Sequence, residues 1–385
     1  MIKVYNTQED ISSGFRKFLK IIDKNMRKTQ INFLPYLLFG IISAESIVPS
    51  DIAKSLKDKF TRVQLDSVKK RIKRFFSNKY FEPYNFYDKV IKYVISTYKK
   101  KHADKRVHIM FDHMFSHSNY TVFMISMRIG KQGIPLWFRC FEGKSCPDAF
   151  KETLIKEGIT YVSNLFTEDF ELIFLADRWF NSTGLMDHID SLGHTYVLRM
   201  KQNIKVVYLD KKENHEIRKT LAELPRYKYR VMKYPNIKIT EEEYETNIVI
   251  SDYVDTTEPW VLATNKNLNR AIRDYSYRFG GIESIFKNQK SNGFFMESTV
   301  KAKLKYFESM YAILCTVTLY LTILGADFAK NTKSYTNVKI STHTNSHGKK
   351  IRIMSLFKTG LTLFQIAFNS QKYIRLPFHF TLYDS

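Results

Sequence analysis

The sequence predicts an α/β chain: a mixed sheet with helices, preceded by an all-helical N-terminal segment (residues 1–104) and followed by a basic, helical C-terminal region (331–385). Three observations predict it. At 385 residues the chain exceeds what one hydrophobic core usually serves. Its texture changes at residue 105, from helical apolar periodicity to strand runs. From there the elements read strand, strand, strand, helix, strand, helix, strand.

Within the N-terminal segment, "IVPSDIAKSLKDKFTRVQLDSVKKRIKRFF" reads as two helices. Ser50 follows Pro49 as an N-cap, and Ile52, Leu56 and Phe60 mark one apolar face. Leu65, Val68, Ile72 and Phe75 mark the next, while Lys69, Lys70, Arg71, Lys73 and Arg74 crowd the rest of that helix. Residues 51–75 hold nine Lys/Arg against three Asp. One-sided charge after a short turn suits a helix-turn-helix whose second helix lies against DNA. An ordinary solvated basic face is the alternative.

The core opens with "RVHIMFDHMF", a strand run that reaches an acid, Asp112. "YTVFMISMRIG" and "GIPLWFRCFEG" follow at hairpin distances, with Gly130 and Gly133 as turn signals. Pro147 to about Phe166 reads as a helix. "FELIFLADRWF" is a continuous apolar run, the mark of a strand buried on both faces, and it reaches a second acid, Asp177. "NSTGLMDHIDSLG" is a capped helix stopped by Gly193, and "TYVLRMKQN" is a further strand. A three-strand meander followed by alternating helix and strand is the order of the ribonuclease-H-like fold, whose first and fourth strands lie side by side. In that arrangement (residues 105–203) Asp112 and Asp177 project from neighbouring strand ends. Residues 204–262 add further strand material, "IKVVYL", "YKYRVMKY", "YETNIVIS" and "WVLATN", as a β-rich insertion before the core resumes over 263–330.

Ser309 to Ala326 is uncharged and approaches the length of a membrane-spanning helix. It contains Thr316, Thr318 and Thr322 and lies between Glu308 and Asp327, so a buried core helix is expected, with no membrane. The same reading holds for Ile31–Ala44, which Pro35 interrupts. From Phe328 to Tyr383 there is no Asp or Glu and there are nine Lys/Arg. "NTKSYTNVKISTHTNSHGKK" suits a polar linker or DNA-contacting loop, and "IRIMSLFKTGLTLFQIAF" an amphipathic helix packed on the core or on a second protomer.

A composition of 44% hydrophobic and 15% aromatic residues excludes a disordered chain. A net charge of +23 points to a polyanionic partner, nucleic acid first, with lysine accumulation from AT-rich coding as the alternative. Cys140, Cys146 and Cys315 cannot make a disulfide framework, which suits a reducing, cytoplasmic compartment. Cys140 and Cys146 lack a C-x-x-C partner, and His113 and His117 are near them only in sequence, so no zinc pattern is read. The opening MIKVYNTQED is too polar for a signal peptide.

Two carboxylates on adjacent strands repel and desolvate each other, a penalty that divalent cations remove. Mg²⁺, or Mn²⁺ in its place, can then activate a water or a 3′-hydroxyl in phosphodiester chemistry. A third carboxylate must come from elsewhere. In "YSYRFGGIESIFKNQKSNGF" (275–294), Glu283 is flanked by Ile282, Ile285 and Phe286, as if its helix faced a core. Singly, each Asp could be only a turn former; the expectation rests on the three together in this element order.

Here "LADRWFNSTGLMDHIDSLGHTYVLRMKQN" and "YSYRFGGIESIFKNQKSNGF" resemble the bacterial insertion-sequence DDE transposases that carry a Tyr-Arg-Glu-Lys helix signature. The resemblance covers roughly residues 105–330. It implies an acidic triad of Asp112, Asp177 and Glu283 and a signature of Tyr275, Arg278, Glu283 and Lys290. The Arg278–Glu283 interval is one residue longer than the family's, with Gly280-Gly281 at the extra position, where glycine could absorb a helix bulge. It further implies that Tyr275, Arg278 and Lys290, with Lys287 and Arg178 beside the acids, grip DNA phosphates. By the same likeness Trp260 stacks on a flipped base during hairpin formation; a core tryptophan is the alternative. The expected function is metal-dependent cleavage at the ends of a double-stranded DNA element and transfer of the 3′-hydroxyl into target DNA, by a homodimer. A nuclease without strand transfer and a non-catalytic DNA-binding regulator are the alternatives.

Overall fold

The computed structural model describes residues 7–331 except 58–59, 99–104, 117–118, 145–147, 211–214, 253–257, 291–292 and 297–302. Beyond 331 it describes 342–344, 350–352, 354–369, 376–378 and 382. Cys146 and His117 fall outside the described residues.

Five helices come first: α1 (Gln8–Ile22), α2 (Lys28–Ala44), α3 (Pro49–Ser55), α4 (Leu65–Phe76) and α5 (Pro83–Ser96). Thr7 caps α1 by accepting from the Asp10 amide. Pro49 opens α3 at its first position with Val48 as the capping residue, so the cap lies two residues before the expected Ser50. Residues 56–64 separate α3 from α4, more than the three- or four-residue turn of a helix-turn-helix. Val68, Ile72 and Phe75 face the core, but Leu65 is 42% exposed.

The strands β1 (Arg106–Ser116), β2 (Tyr120–Ile129) and β3 (Gln132–Glu142) form the expected meander, followed by α6 (Asp148–Ser163), β4 (Glu171–Ala176), α7 (Thr183–Ser191) and β5 (Thr195–Arg199). β1 pairs antiparallel with β2 and parallel with β4, and β4 parallel with β5. β1 does not end at Asp112: it runs on to Ser116 in the hairpin with β2, and only its pairing with β4 stops short.

The segment expected as an insertion supplies β6 (Lys205–Asp210), β7 (His215–Thr220), β8 (Val231–Ile239), β9 (Tyr244–Ser251) and β10 (Trp260–Thr264). These strands form no sheet of their own. β10 pairs antiparallel with β5, extending one mixed sheet to ten strands in the order β3-β2-β1-β4-β5-β10-β9-β8-β6-β7.

After α8 (Ala271–Ser276) and α9 (Ile282–Lys290) comes α10 (Leu304–Lys330), which is long and apolar enough to cross a membrane. Here 89% of its apolar window is buried inside the protein, against α5, β3 and α11 (Leu356–Asn369). A Cβ on Gly325 or Gly360 would collide with the backbone of the opposite helix at Leu356 or Leu321, so glycine lets α10 and α11 approach. Thus α11 packs on the core of its own chain. The N-terminal helices share that core, since α10 also touches α2, α4 and α5. In the polar tail, β11 (Thr342–Thr344) and β12 (Lys350–Arg352) pair as a two-stranded antiparallel ribbon.

Candidate active site

Three carboxylates from separate elements converge on one arginine. Met110 of β1 is paired with Leu175 of β4, so continuing that register two residues sets Asp112 beside Asp177. Glu283 sits in the first turn of α9, where the helix dipole favours an anion. The helix is seated by Ile282 and Ile285, both fully buried, and by Ser284, whose hydroxyl accepts from the Gly133 amide and the Gln132 side chain.

Among the acids lies Arg278, its side chain 6% exposed. Its Nη2 is 2.6 Å from Asp112 Oδ2 and 3.9 Å from Asp177 Oδ2, and its Nη1 is 3.2 Å from Glu283 Oε1. Its Nε is buried with no hydrogen-bond partner. Asp112 Oδ1 also accepts from the His113 amide, and Asp177 Oδ1 from the Arg178 amide.

Burial pushes the Asp112 carboxyl above its ordinary pKa; Arg278 and the His113 amide pull it back, and Asp177 pushes it up again. Glu283 is raised for the same reasons, burial first, with Arg278 opposing and the two aspartates adding. Two converging acids, Asp112 and Glu283, raised by burial and mutual repulsion are a functional-site signal.

The donor set, three carboxylates, suits a hard divalent cation in charge and in ligand type. The space between them is held by the guanidinium. Among the described residues no group of three or more His, Cys, Asp or Glu side chains is poised to hold a metal ion as it stands. A metal fits here only if Arg278 withdraws.

The expected signature is not one helix. α8 stops at Ser276 and α9 starts at Ile282, with Gly280 at φ +77° in the turn between. Gly280-Gly281 is therefore a helix break and not a bulge, and Gly281 has no room for a Cβ against Met110. Tyr275 is 1% exposed, so it reaches no phosphate in this arrangement; burial pushes its hydroxyl up to about 12. Lys287 is exposed and Lys290 half-buried on the later turns of α9. Arg178 pairs with Glu258 at 2.8 Å.

Trp260 is 6% exposed, its ring stacked on Phe279 at 5.4 Å and edge-on to Tyr275 at 5.2 Å. Of its two readings, this is the buried one: the exposed ring of the stack is Phe279, at 43%. Sequence reasoning missed Trp179, which is 62% exposed two residues past Asp177, with Lys201 Nζ 5.7 Å from its ring. "DRWF" was the available signal, an aromatic two residues past an acid at a strand end.

On α4 the five basic residues are not equivalent. Lys73 and Arg74 are exposed and Lys69 is half-buried. Lys70 pairs with Asp66 at 3.4 Å, and Arg71 lies 4.7 Å over the Phe33 ring.

No family model matches the sequence, and no curated protein matches it. Solved structures resemble it distantly. The synaptic complex of piggyBac transposase with hairpin DNA aligns over 94% of this chain and 78% of that one, at 13% identity and a TM-score of 0.46. The Argonaute of Marinitoga piezophila in complex with 5′ OH guide RNA aligns over 54% of this chain and 31% of that one, at 11% identity and a TM-score of 0.24. The same Argonaute with guide RNA and target DNA gives 55%, 31%, 13% and 0.21 in the same order. Likenesses this distant carry no argument for function.

Proposed function

We propose that the chain is a DNA transposase that cuts at the ends of an element and joins the 3′-hydroxyl to target DNA. One observation carries the reading: Asp112, Asp177 and Glu283, distant in sequence, converge within 4 Å of a single guanidinium. They do so beside a parallel strand pair, in a sheet where β3-β2-β1-β4-β5 are neighbours in that order, an arrangement that supports a ribonuclease-H-like reading. The resemblance of residues 105–330 to insertion-sequence transposases and the net charge of +23 agree with it.

In this reading the three acids would hold Mg²⁺ or Mn²⁺, which would activate a water or a 3′-hydroxyl and stabilise the leaving oxygen of the DNA. Arg278, withdrawn from the carboxylates, binds a phosphate oxygen nearby through its planar donor fork. Trp179 offers an exposed face to a base unstacked near the cut. Lys73, Arg74, Lys287 and Lys290 add backbone contacts, and two protomers pair two ends.

The test uses a plasmid carrying the gene with its own flanking DNA. Asp112→Asn, Asp177→Asn and Glu283→Gln should each lower nicking at the flanks roughly 100-fold or more, because several kcal/mol of metal-borne stabilisation is lost. DNA affinity should hold. Near-parental cutting by any of the three removes that residue from the site, and cutting without joined product leaves a nuclease.

A further inference from the structure

A second polar site lies on the same face of β1, at the strand's other end. A cavity of about 300 Å³ is lined by Arg106, His108, Arg128, Arg270, Arg273 and Asp274, among others. Arg106 also pairs with Glu171 at 3.1 Å, and four arginines and a histidine share the cavity lining with one carboxylate. That carboxylate, Asp274, is 3% exposed and already engaged, with Arg106 Nη2 at 2.9 Å and His108 Nε2 at 3.0 Å. Arg128 is anchored by backbone carbonyls: its Nε donates to Gly130 at 2.5 Å and its Nη1 to Tyr277. Its ring partner Tyr277 lies 4.6 Å below the guanidinium. Arg270, just before α8, and Arg273 on α8 are exposed and line the same cavity. Anchored arginines together with exposed ones make a receptor for an anion, and planar guanidinium forks suit phosphate oxygens.

We infer that this cavity holds a backbone phosphate of the DNA whose cleavage is proposed at Asp112, an inference that rests on that reading. Side chains four residues apart on a strand share a face, and His108 and Asp112 stand about 13 Å apart at roughly 3.3 Å per residue. In duplex DNA that is about four base steps at roughly 3.4 Å each. Asp274 and Arg278, also four apart, tie the α8 segment to β1 at both places, to His108 and to Asp112. Between them on that face Met110 is fully buried against Gly281, so a strand that reaches both the carboxylates and the cavity passes over the α8–α9 turn. The cavity's size, at the low end for ligand pockets, admits one phosphate with its sugar and no base pair.

The experiment measures affinity for a short duplex across a salt series in the full-length chain, and thermal protection by pyrophosphate. The variants are Arg270→Ala/Arg273→Ala and, separately, Arg270→Glu, both at exposed positions outside the carboxylate cluster. Losing one phosphate contact should lower the slope of log K against log salt by about 0.9. Between 50 and 200 mM salt that is roughly a 3- to 4-fold smaller loss of affinity. Pyrophosphate should raise the melting temperature of the parent more than that of either variant. A reduced slope together with lost protection supports the inference. Parental slopes in both variants overturn it, and if pyrophosphate protection is lost nonetheless, a small phosphate compound is the occupant. A parent that binds no duplex at all fails the proposed function instead, which keeps the two outcomes apart.

Discussion

Removing Arg278 should turn an arginine-bridged cluster into a metal-dependent one. In Arg278→Gln, three carboxylates lose the one cation they share, and Asp112 suffers most because its partner was 2.6 Å away and nearly buried. Breaking a buried pair by deleting one member costs about 3–5 kcal/mol. The Glu283 pair adds little, since that side chain is 49% exposed and screened. At about 2.1 cal/mol/K per residue, the unfolding entropy of 385 residues is about 0.8 kcal/mol/K, so the melting temperature should fall by about 4–6 °C in EDTA. Mg²⁺ at roughly one hundred times its Kd restores about 2.7 kcal/mol, or about 3 °C. The parent should respond less, because a metal must first displace the guanidinium.

The pH dependence has a definite sign. A carboxyl whose folded pKa lies above its unfolded value binds its proton more tightly when folded, so its contribution to stability falls as pH rises through that folded value. Asp112 and Glu283 are already raised with Arg278 opposing, so the variant should lose stability at a higher pH than the parent. Differential scanning fluorimetry across pH, with EDTA or Mg²⁺, measures both effects. The double variant Arg278→Gln/Asp112→Asn should recover stability in EDTA and lose the Mg²⁺ response. If Mg²⁺ shifts the parent as much as Arg278→Gln, the guanidinium does not guard the site, and the reasoning fails.

Trp179→Ala should slow the step that needs an unstacked base by about 5- to 150-fold, given roughly 1–3 kcal/mol of stacking, with an unchanged melting temperature. Trp260→Ala, at a buried ring, should instead lower stability by about 3–5 kcal/mol and all steps together; equal behaviour of the two variants would refute the contrast. Lys73→Ala/Arg74→Ala should flatten the salt dependence of duplex binding by up to about two slope units, and an unchanged slope returns α4 to a solvated face. For Asp274, burial alone would raise the carboxyl, but hydrogen bonds from His108 and Arg106 and their charge hold it below the ordinary range. Its stabilisation is therefore present above the ordinary carboxylate pKa and lost as pH falls through the depressed value. Asp274→Asn should flatten that acid limb in a pH-denaturation series, and an identical limb would show that Asp274 does not carry it.

What the sequence made legible followed from periodicity and from runs bounded by turns. The meander, the buried β4 and the alternation that follows all leave local signals, and the likeness of that order to a ribonuclease-H-like fold is what sets Asp112 beside Asp177. Less legible was whatever depends on pairing at a distance. Nothing local says that β10 joins β5, so the β-rich insertion read at 204–262 carried no sign that its strands extend the sheet. Nothing local says that α10 packs against both the N-terminal helices and β3. Composition marked α4 as basic, yet only the fold tells that Arg71 lies on Phe33 while Lys73 and Arg74 face solvent.

The same distinction explains Arg278. Read as a string, "YRFGGIE" is a helix signature with one residue too many, and a bulge is the cheapest local repair. The chain instead breaks, because two consecutive glycines are poor helix formers and Gly280 takes a left-handed φ of +77°. That break frees Arg278 from the α9 axis. On a continuous helix, residues five apart would lie well over 100° around the axis from each other, at about 100° per residue, with the arginine pointing away from Glu283. Across the turn the two meet at 3.2 Å. The extra residue thus converts a side chain aimed outward into one that bridges all three acids. Glycine also gives the turn backbone freedom that would let the bridge open without unwinding α8 or α9. A change that removes this freedom, Gly280→Ala, is strained at positive φ by about 1 kcal/mol. It should shift the balance between the bridging and withdrawn positions of Arg278, read as a changed Mg²⁺ response of the melting temperature. An unchanged response would mean that the turn is only a connection.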